Sequence, residues 1–97
     1  MTRDEAIRIL YTQKKELVEK YHVISLSLFG PVARNEARPG GDVKILVKFA
    51  CPTGFTQFFN LKKHLETLFG CRVDMGKPQS LRPQVRARVL QEAIRVF

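Results

Sequence analysis

The chain has 97 residues, 44% of them apolar and seven of them Phe, which suits one compact core over 1–97 and leaves too little for a second domain. Seventeen Lys and Arg against nine Asp and Glu give a net charge of +8, and half of it falls in residues 71–97, a balance that favours anionic partners. The longest apolar runs are a few residues against the ~18 of a membrane span, and Cys51, Cys71, His22 and His64 stand at no zinc-ligand spacing.

With no signal peptide in view, a reducing cytoplasm is expected, with both thiols as small buried apolar groups. In chain order, Thr2 and Glu5 form a T-x-x-E capping box that opens a helix over about 3–20, with Ala6, Ile9, Leu10, Gln13, Leu17 and Tyr21 on one face. Residues 23–29, VISLSLF, alternate as a strand, with Ile24, Leu26 and Leu28 against Val23, Ser25, Ser27 and Phe29. Gly30 ends it. Pro31 suits a first helical position, so PVARNEA reads as a short helical turn that Arg38-Pro39-Gly40-Gly41 breaks. Residues 42–49, DVKILVKF, are the clearest strand, and its alternation puts Asp42 and Lys44 on one side.

A helix over about 54–69 is expected to bury Phe55, Phe58, Leu61, Leu65 and Leu68, with Gly70 as its stop. Residues 71–75 form a short third strand, with Arg72 and Asp74 opposite Cys71, Val73 and Met75. A last helix over about 84–95 is expected to turn Val85, Val89, Leu90 and Ala93 inward. The fold class is therefore α+β, a small mixed sheet of at least three strands covered by helices. There are no repeats or low-complexity tracts.

A glycine ending one strand, a helix opening behind it and acids on the next strand suit a nucleoside triphosphate. The helix start offers N–H groups to phosphate, and paired carboxylates can share a Mg²⁺ with it. Taken alone, that pattern is weak.

The run from Gly30 to Asp42 also resembles the minimal nucleotidyltransferases of the DNA polymerase beta superfamily, whose signature is Gly-Ser, ten residues, then Asp-x-Asp. ARNEARP is similar to the family's ARGEARP, RVDM to its third-carboxylate strand, and LRPQVRARVLQEAIRVF to its closing helix, so the likeness spans nearly the whole chain. It implies a polymerase beta-like fold, Asp42, Lys44 and Asp74 at the catalytic positions, Asp42 and Asp74 as metal ligands, and Gly30, Pro31 and Arg34 at the nucleotide. It also implies ATP or another NTP with Mg²⁺ for an active member, and a small helical HEPN-type protein as partner, often as toxin to its antitoxin.

Two positions depart from the pattern. Pro31 replaces the serine and brings neither hydroxyl nor N–H. Lys44 replaces the second aspartate, so Asp42, Lys44 and Asp74 together carry −1 where the family pattern carries −3. An ammonium about 4 Å from a divalent cation opposes it by several kcal/mol at an effective dielectric near about 20.

Each residue has a plainer reading: Gly30 as a turn glycine, Asp74 as a surface carboxylate, Lys44 as an ion-pair partner of both aspartates or a phosphate contact, and Arg82, Arg86, Arg88 and Arg95 as a solvated face. Two functions follow. One is a pseudoenzyme acting as a binding partner, docking an acidic protein through residues 81–97 unless Ile94 and Phe97 only close the domain's own core. The other is a live Mg²⁺-dependent enzyme moving NMP from NTP to a hydroxyl. Nucleic-acid binding lacks an interleaved aromatic and basic motif and stands third.

Overall fold

A computed structural model describes residues 1–97. Its elements are α1 (Arg3–Thr12), α2 (Lys14–Tyr21), β1 (Val23–Phe29), α3 (Gly30–Ala33), β2 (Val43–Phe49), α4 (Phe55–Phe69), β3 (Val73–Gly76), a 3-10 turn (Pro78–Ser80), α5 (Pro83–Glu92) and β4 (Ile94–Arg95). The strands form one mixed sheet in the order β3-β2-β1-β4. β1 is antiparallel to β2 and β4, whereas β2 and β3 are parallel and joined by the α4 crossover.

Alternation along the strands sends Leu26, Leu28, Val43, Ile45, Val47 and Val73 into one core with Leu10, Leu17, Leu61 and Leu65 of the helices. Lys44 and Lys48 alternate with them on the opposite face, together with Leu46, which is buried but outside that core. The 3-10 turn packs against β2.

Several boundaries differ from expectation. The helix over 3–20 is two helices, broken at Gln13 (φ −94°, ψ 5°), whose N–H reaches both the Leu10 and Tyr11 carbonyls. Neither Gly nor Pro marks that break. Its start is as expected, since the Thr2 hydroxyl accepts from the Glu5 N–H at 3.2 Å.

In β1 the register slips between Val23 and Ser25, a bulge that buries Val23 and leaves Ile24 49% exposed. α3 stops at Ala33 because Asn35 takes φ 61° and its side chain accepts the Arg3 N–H, tying this turn to the start of α1.

α4 buries Leu61, Leu65 and Phe69; Phe55, in its first turn, is 81% exposed, and Phe58 and Leu68, expected in the core, pack against it only half-buried. Cys51 is exposed in the turn between β2 and α4, and Cys71 is half-buried, so neither thiol is a core residue.

The last helix ends at Glu92 and none of its residues is buried; Val85 and Leu90 are exposed. Ala93 is extended, and the chain returns along β1 as β4, where Val96 N–H reaches the Leu26 carbonyl at 2.8 Å. Pairing satisfies backbone groups that β1 would otherwise leave bare at the sheet edge. Ile94, Val96 and Phe97 pack against the core there.

Candidate functional site

Gly30 is buried and has φ +73°, a conformation that a side chain resists. It lies behind Phe29, which the β1–β2 register sets opposite Lys44. A Cβ built on Gly30 would stand 2.7 Å from Lys44 Cδ. The aliphatic stem of Lys44 therefore lies over the glycine. Pro31 occupies the first helical position with no N–H to give.

The parallel register of β2 and β3 places Lys44 beside Asp74. The Lys44 ammonium donates to Asp74 Oδ2 at 2.9 Å and lies 3.7 Å from Asp42 Oδ2. Asp42, Lys44 and Asp74 thus come together, with Lys44 bridging the carboxylates. The hydrogen bond to Asp74, then the charges of Asp74 and Asp42, push the Lys44 ammonium above its ordinary pKa against the opposing effect of burial.

This donor set does not fit a divalent cation. An ammonium already bridges both carboxylates, and no group of three His, Cys, Asp or Glu converges anywhere in the chain. Cationic charge is supplied from within.

Arg34 does not join that cluster. It caps the end of α3 and pairs with Glu36 at 3.4 Å and with Glu92 of α5. Its hydrogen bond to Glu36, followed by that to Glu92, holds its pKa above the ordinary value. Arg34, Pro31, Arg38, Gly41 and Asp42 border a hollow of about 580 Å³. Arg38 lies in ARNEARP and Glu92 in the closing-helix run, but neither is marked there as a site residue. Only the folded chain brings Glu92 across 58 residues to Arg34.

Comparison with known proteins matches residues 10–96 to the family described as nucleotidyltransferase domain. The protein adenylyltransferase MntA of Thermococcus cleftensis is 38% identical over 96 residues, covering 99% of this chain and 97% of that protein. A solved structure described as a candidate minimal nucleotidyltransferase superposes with a TM-score of 0.79 at 35% identity, over 97% of this chain and 95% of the other. The fold also matches, at a TM-score of 0.67 and 15% identity over 94% of this chain and 71% of that one, a structure of the tri-AMPylated Shewanella oneidensis HEPN toxin in complex with its MNT antitoxin.

Proposed function

The chain belongs to the nucleotidyltransferase-domain family, and we propose that residues 1–97 form a single minimal nucleotidyltransferase-like domain with a degenerate centre, acting in the cytoplasm as a binding partner. Its chemistry is weak or absent, and its role is that of the antitoxin-like half of a HEPN/nucleotidyltransferase pair. The observation that carries this reading is the position of Lys44: its charge spans Asp42 and Asp74, and its stem covers Gly30. The partner class is supported by likeness to a fold solved with a HEPN toxin.

A second reading is favoured by the 38% identity to a protein adenylyltransferase over almost the full chain. In it the domain moves NMP from NTP to a hydroxyl acceptor, with Asp42 and Asp74 as the carboxylates, Lys44 at the third catalytic position, and Gly30, Pro31 and Arg34 around the nucleotide.

Calorimetry separates the two. Mg²⁺-ATP titrated into the unmodified protein is expected to give little heat, and Lys44→Asp combined with Pro31→Ser is expected to gain binding, because the pair restores one carboxylate, which returns the cluster from −1 to −3, and the serine hydroxyl. Tight Mg²⁺-ATP binding by the unmodified chain, or Mg²⁺-dependent transfer of label from any NTP to the HEPN-type partner, would establish the enzyme instead.

A further inference from the structure

Residues 43–65 and 75–91 contain no Asp or Glu. From these stretches Lys63 stands on α4 over Phe59, while Lys48 and Lys77 line the hollows at the start of that helix. Phe55 is 81% exposed there and Phe59 42%, their rings stacked with centroids 6.0 Å apart. The Lys63 ammonium lies 5.1 Å from the Phe59 centroid, and Lys77 lies 5.6 and 5.7 Å from Phe49 and Phe58. Beside the exposed rings a hollow of about 290 Å³ opens between Phe55, Phe58, Met75 and Lys77. It shares Thr53 and Lys77 with a second hollow of about 510 Å³ at Lys48 and Cys51. Neither is lined by a carboxylate, and neither includes Asp42, Lys44 or Asp74.

An exposed apolar patch rimmed by like charges marks a contact surface. We propose that this face docks an acidic protein segment: one apolar side chain of the partner enters the hollow between Phe55 and Met75, and its carboxylates meet Lys48, Lys63 and Lys77. The three lysines supply the complementary charge, and the hollow supplies a concave, partly apolar seat that an anchor residue would close off from water.

A second copy presenting the same face would set lysine against lysine. A single-stranded nucleic acid would need free ring faces on which to stack bases. Here Phe55 and Phe59 each give one face to the other and ammonium groups lie over Phe49, Phe58 and Phe59, which leaves only the outer face of Phe55 without a neighbouring ring or ammonium. The proposal is independent of whether the chain transfers nucleotides.

The test is fluorescence anisotropy with four labelled probes: short glutamate-rich peptides with a central Leu or Phe, the same peptides with Lys for Glu, glutamate-rich peptides without the anchor, and oligo-dT. The anchored acidic peptides are expected to bind tightest. Phe55→Ala and Lys77→Glu are each expected to weaken them about tenfold, or about 1.4 kcal/mol. Phe55 is so exposed that its loss leaves the core intact. Because Lys77 packs on Phe49 and Phe58, Lys63→Glu serves as the second charge reversal, its fold checked by circular dichroism. The proposal is overturned if the acidic peptides bind no better than their lysine counterparts, if neither Phe55→Ala nor Lys63→Glu weakens them, or if oligo-dT binds best.

Discussion

Lys44 does two things with one side chain: its ammonium bridges Asp42 and Asp74, and its stem packs over Gly30. The pair is partly exposed, so it contributes about 1 kcal/mol or less. Since folding raises the Lys44 pKa, that contribution is fully present below about pH 10.4, the ordinary lysine value, and is lost as pH rises through the folded value. Urea midpoints of the parent and Lys44→Met are therefore expected to differ by a constant amount from pH 7 to 9 and to converge in more alkaline solution. A gap that widened there would reverse the sign of the argument. Gly30→Ala is expected to cost about 1–2 kcal/mol from the left-handed backbone alone, and more where Lys44 is retained, because the new Cβ meets Lys44 Cδ. A double-mutant cycle with Lys44→Ala reads that coupling. At this scale Asp42 and Lys44 are legible from the period of two in DVKILVKF, and Asp74 only through the resemblance of RVDM to the family's third-carboxylate strand. The packing of Lys44 on Gly30 is not, because it depends on the register between β1 and β2.

Elements whose apolar pattern meets one core are legible in the sequence, and those that leave it are not. β2 and the middle of α4 follow their sequence pattern because Ile45, Val47, Leu61 and Leu65 all face the same interior. The bulge at Ile24 was invisible, since a single inserted residue shifts the strand face without changing composition. The end of the last helix was misread for a similar reason. Ile94 fits the helical spacing, yet the unpaired edge of β1 draws Ile94 and Arg95 into β4, and Val96 follows with its N–H on the Leu26 carbonyl. α5 is left without a buried residue. Leu90→Gln is thus expected to change unfolding free energy by within about 0.5 kcal/mol. Leu65→Ala, in the core, is expected to cost about 2–5 kcal/mol. Chemical denaturation of both variants checks the contrast, and a large loss for Leu90→Gln would mean that α5 is part of the stabilising core.

Across the whole molecule, the basic excess and the lack of burial in α5 point to the same role. Arg82, Arg86 and Arg88 are exposed on and beside a helix that contributes no buried residue, which ties back to the body through the Arg34–Glu92 pair and through β4. Ile94 and Phe97, which composition left open as contact residues, are committed to the domain's own core, so the docking surface expected over 81–97 contracts to α5 and its N-terminal flank. Arginines beside the exposed Val85 and Leu90 have the make-up of an interface, and such charges act within a Debye length of about 8 Å at physiological salt. If a HEPN-type protein is the partner, Arg86→Glu with Arg88→Glu is expected to abolish co-purification of the co-expressed pair while leaving the urea midpoint of this chain unchanged. Lys44→Ala is expected to leave the pair intact, because the ion pair lies within the domain. Loss of the partner with Lys44→Ala alone would move the interface over Asp42 and Asp74. Loss with Phe55→Ala, and not with the α5 double reversal, would move it to the face of α4.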